Sequence, residues 1–173
     1  MNKLRNVIKG SPLIYPFYIN KIRRLNIDFP DESTDLHLTG FPRSANTYCR
    51  QIVKEVFPEL NIISHIHTIA SLKKALKHDK PIALLLRSPL STTSSMLMKF
   101  DYKKEGEVLY DYIKYHDFVL KNIDKIEIFR FEEVIDSPLG LIDFVKSKCL
   151  IDISIKFMFQ YTSRHRNIWD YYR

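Results

Sequence analysis

Residues 36–48 limit what this chain can fold into more than any other stretch does. A short alternating apolar segment, Leu36 and Leu38, runs into Gly40, and the turn-forming pair Phe41-Pro42 follows. From Asn46 the sequence continues with helical spacing to Phe57. A strand, a tight loop and a helix N-terminus in this order form an anion site. The loop N–H groups converge there, and the helix dipole adds about half a positive charge.

The loop differs from the Walker A phosphate-binding motif, Gly-x4-Gly-Lys-Ser/Thr. Gly40 and Thr47 occupy the positions of the first Gly and the Ser/Thr, whereas Ala45 and Asn46 replace the second Gly and the Lys. The cation lies further forward in the loop, at Arg43. The pattern therefore predicts a phosphate-binding loop of a different type.

Strand and helix patterns alternate from residue 35 onward. Further strands are predicted at 60–63, 82–86 and 126–131, and helices at 69–77, 90–100, 107–120 and after Ser137, the predicted N-cap. The alternation predicts an α/β fold, a three-layer P-loop NTPase-like arrangement with a central parallel sheet and helices on both faces. We expect residues 35–173 to form this domain. Residues 1–34, where prolines break any long helix, form an N-terminal segment packed on or capping it.

Polar residues that could carry chemistry follow the predicted strands. They are Arg43 to Thr47 after the first strand, His65 and His67 after the second, Arg87 after the third and Arg130 in the fourth. Open parallel sheets bind ligands at the carboxyl ends of their strands. The sequence therefore predicts one site at that edge of the sheet.

Three segments resemble the motifs of the PAPS-dependent sulfotransferase family, where PAPS is 3′-phosphoadenosine 5′-phosphosulfate. Residues 42–48, Pro-Arg-Ser-Ala-Asn-Thr-Tyr, are similar to its 5′-phosphosulfate loop and differ at Ala45. Residues 87–95 match its 3′-phosphate segment at Arg87, Pro89 and Ser95, with serine in place of both aspartates. Residues 128–134 resemble its Leu-Arg-Tyr-Glu-Asp-Leu motif, with Phe131 in place of tyrosine. The resemblance covers roughly residues 36–148.

The resemblance implies a PAPS site, with 3′-phosphoadenosine 5′-phosphate (PAP) as product and no metal ion. It assigns Arg43, Ser44, Ala45, Asn46 and Thr47 to the 5′-phosphosulfate, and Arg87 with Ser95 to the 3′-phosphate. Tyr48 stands at the aromatic position near adenine, and Phe131 would contribute. A positive φ at residue 45 would cost an alanine about 1 kcal/mol. In the C-terminal segment, Arg164 and Arg166 would close over the 3′-phosphate, or belong to a solvated basic tail.

Sulfuryl transfer needs a base to deprotonate the acceptor hydroxyl, and histidine suits this role because its pKa lies near neutrality. In the resembled family a histidine follows the second strand, and here His65 and His67 fill that place. We expect His67 to be the base, with His65 as the alternative; if the strand continued, both would share one face. Structural histidines and a His-x-His metal pair remain alternatives. Arg43 supplies the cation that stabilises the leaving group.

The charge balance indicates an acidic partner. The net charge is +7 and the pI about 9.3, which suits a polyanionic cofactor, an anionic glycan, nucleic acid or a membrane surface. No recognised nucleic-acid-binding motif occurs, so we expect no nucleic-acid partner. No apolar run approaches the ~20 residues of a membrane span. With two cysteines and no signal-peptide pattern, the sequence predicts a cytoplasmic protein.

The resulting prediction is a sulfotransferase that moves a sulfuryl group from PAPS to an acceptor hydroxyl, on a carbohydrate or small metabolite, by in-line attack with a histidine base. A small-molecule P-loop kinase is one alternative, although the Walker lysine is missing. A degenerate, non-catalytic anion- or nucleotide-binding protein is another, favoured by Ala45, Ser88 and Ser91. The acceptor and the oligomeric state do not follow from the sequence.

Overall fold

The computed structural model describes residues 7–8, 10–25, 27–100 and 104–149. Within these ranges the centre of the fold is a sheet of four parallel strands, in the order β2-β1-β3-β4. The strands are β1 (Leu36–Gly40), β2 (Ile62–Ile63), β3 (Ile82–Leu86) and β4 (Glu127–Arg130). The chain leaves β1 in one direction to reach β2 and then crosses to β3 on the other side. Strands β1 and β3 therefore flank the topological switch point, where such sheets bind ligands.

Helices cover both faces of the sheet, as the sequence predicts. The helices are α1 (Ile14–Phe17), α2 (Asn46–Val56), α3 (Ile69–Lys77), α4 (Pro89–Lys99), α5 (Glu105–Leu120), α6 (Phe131–Asp136) and α7 (Leu139–Lys148). On one face, Leu36 and Leu38 pack with α2, α6 and α7. On the other, Phe41 and Leu84 pack with α3, α4 and α5. The predicted three-layer α/β architecture is confirmed.

Most predicted elements occur at their predicted positions. The bounds of α3 and β3 are those predicted, because a buried parallel strand and a strongly amphipathic helix leave clear patterns. Helix α5 begins two residues earlier than predicted, at Glu105, where Glu105 and Glu107 both lie in the first turn.

Two local predictions are wrong. Phe131 opens α6 and does not belong to the fourth strand, which ends at Arg130. Ser137 does not cap the last helix, because Pro138 is the N-cap of α7 and no side chain caps it. The N–H of Ser137 instead donates to the Glu133 carbonyl at 2.8 Å and ends α6. Because Ser137 is the C-cap of α6 and Pro138 already occupies the N-cap of α7, Ser137 is not available for that position.

The N-terminal segment packs at the β2 edge of the sheet. Helix α1 continues as a π-helical stretch, Tyr18–Ile22, that buries Ile19. Pro16 lies in the first turn of α1, where its missing N–H would have had no intrahelical acceptor. Further along, Phe29 packs with Ile63 and Ile66. The division of the chain at residue 34 stays a prediction.

None of the helices in the described ranges combines the length and apolar character that crossing a membrane requires. The cytoplasmic location stays a prediction.

Candidate functional site

The loop after β1 is held tightly against the neighbouring strand. A Cβ at Gly40 would lie 2.5 Å from the Leu85 carbonyl oxygen and 3.0 Å from Oδ1 of Asn46. Real Cβ atoms do not approach backbone this closely, so residue 40 has to be glycine. This contact brings the start of the loop to the edge of β3, at the switch point.

The loop backbone takes the left-handed conformation twice. Arg43 has φ 74° and Ala45 has φ 62°. A positive φ is unfavourable for any residue with a Cβ, so the alanine at position 45 destabilises this backbone conformation relative to glycine. Ala45 is also the N-cap of α2 and has no side chain that could accept from the first-turn N–H groups. Such groups, together with the helix dipole, favour a bound anion.

Several buried polar atoms at this place have no partner within the protein. Eight buried side-chain polar atoms in the described ranges lack a hydrogen-bond partner, and four of them belong to predicted site residues: Ser44, Asn46, His67 and Arg87. Each such atom costs roughly 1–3 kcal/mol when left unpaired. The Oγ of Ser44 and the Nε of Arg87 can donate to an anion, and a ligand here would offset their cost. The unpaired Oδ1 of Asn46 is an acceptor and suits a ligand donor, while its amide Nδ2 donates to the Phe41 carbonyl at 3.2 Å.

Arg43, Arg87 and Ser95 form one cluster at the switch point. Arg43 Nε donates to Ser95 Oγ at 2.9 Å, and Arg87 Nη1 donates to the Arg43 carbonyl at 2.8 Å. The Arg87 guanidinium lies over the Phe131 ring, 4.2 Å from its centroid. Among the residues that the structure describes, no carboxylate forms an ion pair with either arginine. Two adjacent cations without a counter-ion make this place electropositive.

Tyr112, which the sequence analysis did not identify as a site residue, holds the backbone of Arg87 in place. The Tyr112 hydroxyl donates to the Arg87 carbonyl at 2.7 Å, and its ring contacts Phe41 edge-to-face at 5.2 Å. Tyr112 therefore links α5 to both the loop and the arginine. Its place on the apolar face of α5 was visible in the sequence, but nothing there indicated the partner of its hydroxyl.

The two candidate bases lie in different surroundings. Strand β2 ends at Ile63 and His65 has φ 66°, so the strand does not continue and the two rings do not share a face by strand alternation. His65 is exposed, and its pKa is lowered by partial burial and by the nearby charge of Arg50. His67 turns towards the loop after β1. Burial lowers the pKa of His67 to about 4, against the opposing effect of a backbone hydrogen bond to Gly40.

His67 also lines a pocket of about 400 Å³. The walls come from the N-terminal segment, the loop after β1, the start of α3, and helices α4 and α5. Its lining residues are Val7, Gly10, Phe41, Pro42, His67, Thr68, Ile69, Met96, Tyr110, Asp111, Lys114 and Tyr115. His67 lies at the wall of this space, but its Nδ1 is itself buried and has no hydrogen-bond partner among the described residues.

The remaining predicted site residues do not take part in the cluster of Arg43, Arg87 and Ser95 within the described part of the chain. Thr47 is exposed, and half-buried Tyr48 packs against the core on the α2 and α7 face. Arg164 and Arg166 lie outside the described residues. In the part of the chain that the structure covers, no group of three or more His, Cys, Asp or Glu side chains is placed to hold a metal ion.

The fold has a relative among solved structures. It is similar to the crystal structure of mouse sulfotransferase SULT7A1 complexed with PAP. The TM-score is 0.52 at 14% sequence identity, over 78% of this chain and 64% of that one, so this chain spans less than two thirds of that protein's length. The likeness confirms the predicted P-loop-like fold, and at this identity it shows the fold alone. No protein-family model matches the sequence, and no curated protein matches it.

Proposed function

We propose that this protein is a sulfotransferase that moves a sulfuryl group from PAPS to an acceptor hydroxyl. The observation that carries the proposal is the joining of Arg43, Ser95 and Arg87 into one cluster to which no described carboxylate is paired. A nucleotide phosphorylated at both its 3′ and 5′ ends needs two anion sites a short distance apart. The loop at the start of α2 supplies one, and the side chains that follow β3 supply the other.

The residues at this place fit such a nucleotide. The loop residues Arg43, Ser44 and Thr47, with the backbone of Ala45 and Asn46, would hold the 5′-phosphosulfate. Arg87 and Ser95 would hold the 3′-phosphate, with Arg164 and Arg166 as further candidates. Tyr48 and Phe131 are the aromatic residues proposed near adenine. The unpaired, buried donors on Ser44 and Arg87 support this assignment, because an anion would satisfy them.

His67 is proposed as the general base. When bound, PAPS supplies an activated sulfuryl group and leaves as PAP. His67 accepts the proton of the acceptor hydroxyl as its oxygen attacks, and Arg43 neutralises the negative charge that develops on the leaving side. Burial holds the pKa of His67 near 4, so the ring is neutral at pH 7 and is a weaker base than a solvated histidine. The pocket beside it would hold the acceptor, for which a carbohydrate or a small metabolite is our proposal.

The test combines binding and turnover on the purified full-length chain. We expect PAP to bind in isothermal titration calorimetry, and labelled sulfate to pass from PAPS to at least one compound in a panel of sugars, phenols and alcohols. A protein that neither binds PAP nor transfers sulfate would disprove the proposal. PAP binding without any transfer would instead support a non-catalytic nucleotide-binding protein. Magnesium-dependent transfer of phosphate from ATP would identify a kinase.

A further inference from the structure

The positive charge of this protein is concentrated in its first 27 residues. They contain six Lys and Arg residues and no Asp or Glu, so they account for six of the seven net positive charges of the chain. The other 146 residues are almost neutral overall. The proposed PAPS site uses none of these six charges. Most of the net positive charge is therefore carried by residues that the proposed PAPS site does not use.

The same stretch carries an apolar face. Leu13, Ile14, Phe17, Ile22 and Leu25, here called the apolar face, are between 49% and 79% exposed. Thirteen large hydrophobic side chains are exposed in the described part of the chain, and five of them fall within residues 13–25. Ile14, Phe17 and Ile22 lie on the helical stretch, and Leu13 and Leu25 flank it. Single exposed apolar residues are ordinary on a protein surface, but such a cluster marks an interaction site.

The segment is anchored to the domain by its other side, so the apolar face is turned outward in the folded protein. Ile19 is buried, and Tyr15 contacts the buried Phe29 edge-to-face at 5.9 Å. The Asn20 side chain holds the returning chain with two hydrogen bonds of 2.8 Å to the backbone of Ile27. Folding thus fixes the helical segment and leaves its outer side uncovered by any of the described residues.

Cations border the apolar face. Lys21, Arg23 and Arg24 are exposed, and within the described ranges none of the three forms an ion pair. The first acidic side chain in the sequence is that of Asp28. An apolar helical surface with aromatic and aliphatic side chains and a basic border is the pattern of a segment that lies in a membrane interface. The charge selects anionic lipids, which attract polybasic segments.

We propose that the apolar face and its basic border dock this protein on an anionic membrane surface. The apolar side chains enter the boundary between headgroups and acyl chains, and Lys21, Arg23 and Arg24 contact the acidic headgroups. A lipid surface suits this convex helical face better than a protein partner, which would have to offer a matching groove. The face begins three residues after Gly10, which lines the pocket. This inference does not depend on the proposed reaction.

The test uses the full-length protein in vesicle co-sedimentation. We expect it to pellet with phosphatidylcholine vesicles that contain about 30% phosphatidylserine, and to stay in the supernatant with phosphatidylcholine alone. Raising the salt concentration should release it. Arg23→Ser/Arg24→Ser and Leu13→Glu/Phe17→Glu should each weaken binding about tenfold or more. Lys146→Ser/Lys148→Ser removes the same charge from exposed sites on α7, and Ile113→Glu/Leu120→Glu adds the same two charges at exposed apolar sites on α5. Both serve as matched controls that keep binding.

Three outcomes would overturn the proposal. The first is no binding to phosphatidylserine vesicles at low salt, and the second is an equal loss of binding in the control variants. The third is a concentration-dependent dimer in light scattering that Leu13→Glu/Phe17→Glu converts to a monomer, because a second copy would then cover the apolar face. Circular dichroism melts show whether each variant is folded. PAP titration of the same variants keeps this result separate from the proposed reaction.

Discussion

Arg43 and Ser95 are joined by a hydrogen bond of 2.9 Å across 52 positions of sequence. Arg43 belongs to the loop after β1, and Ser95 to the helix after β3. The bond therefore spans the switch point between β1 and β3. It joins Arg43, proposed to stabilise the leaving group, to Ser95, proposed to bind the 3′-phosphate. The two segments that the sequence analysis assigns separately to the two phosphates are in direct contact in the folded chain.

Removing the Ser95 hydroxyl should weaken nucleotide binding. In Ser95→Ala, Arg43 loses its partner and the bound phosphate loses a hydroxyl donor, and we expect PAP affinity to fall about tenfold. Calorimetric titration measures the change. Ser94→Ala is the matched control, because Ser94 is exposed on the same helix and should leave the affinity unchanged. Equal affinities for wild type and Ser95→Ala would contradict the assigned role.

The ring of Phe131 should matter through the arginine that it supports. With the Arg87 guanidinium 4.2 Å from the ring centroid, a cation–π contact of about 1 kcal/mol holds that side chain in place. We expect Phe131→Leu to lower PAP affinity about threefold to tenfold, while Phe131→Tyr retains it. If both variants bind PAP like the wild type, the stacking does not position Arg87 for the nucleotide.

The positions of the strands and helices could be predicted because they depend on local pattern. The continuous apolar run Ile82–Leu86 has the composition of a strand buried on both faces, and it is β3. The grouping of loop, Arg87 and histidines at one edge also follows from topology, since parallel strands share their carboxyl ends.

Other features depend on contacts that no local pattern records. The separation of His65 from His67 arises from one left-handed residue at the end of β2, and histidine adopts that conformation without any sequence signal. The support of Arg87 by Tyr112 links residues 25 positions apart. The helical segment before residue 25 was not predicted, because prolines usually break helices. Pro16 lies in the first turn of α1, where its missing N–H costs no hydrogen bond.

The two histidines should behave differently when each is removed. We expect His67→Ala to lose about 10²-fold or more in turnover with PAP affinity nearly unchanged, because the base acts only on the acceptor. His65→Ala should keep most activity, since His65 is exposed beside Arg50 and does not line the pocket. Arg87→Ala should show the opposite pattern to His67→Ala, with PAP affinity lost first. Loss of activity in His65→Ala alone would transfer the role of base to His65.

The pH profile offers a second check on His67. The base has to be unprotonated, and burial lowers its pKa to about 4. The ratio kcat/KM should therefore stay level as pH falls from 7 towards 5 and decline as it approaches the folded pKa. A decline centred near the ordinary histidine value of 6.5 would indicate a solvated base instead.

Ala45 gives a prediction about stability. Its φ of 62° is strained for an L-residue, so Ala45→Gly should raise the free energy of unfolding by up to about 1 kcal/mol, after allowing for the greater freedom of glycine in the unfolded chain. Gly140→Ala measures the effect of the same methyl group at an unstrained helical position, because a Cβ there meets nothing within 4 Å in helix α7. That change should also stabilise, by some tenths of a kcal/mol. Urea unfolding of the three proteins measures both values, and a less stable Ala45→Gly would contradict the strain at this position.

His37 should make the fold sensitive to acid. Its ring is fully buried on β1, its Nδ1 lies 3.2 Å from the Ile63 carbonyl, and its Nε2 has no partner among the described residues. Burial lowers the pKa of His37 to about 4, and the neighbouring His67 adds to the effect. The unfolded chain therefore binds more protons than the folded one between pH 6.5 and 4. The stabilisation is complete above pH 6.5 and is lost as pH falls through that window, by roughly 3 kcal/mol at most for this residue.

The substitution His37→Gln separates this effect from the rest of the acid response. Glutamine keeps a polar group opposite the Ile63 carbonyl and does not titrate, so the variant should be less stable at pH 7.5 but lose less stability on going to pH 5. Urea unfolding at the two pH values measures the slope. His67→Gln should flatten the slope in the same direction, because burial lowers its pKa as well. If the free energy of unfolding of His37→Gln changes with pH as steeply as that of the wild type, His37 does not take up a proton when the chain unfolds. The reason is that this slope is set by the difference in bound protons between the unfolded and folded states.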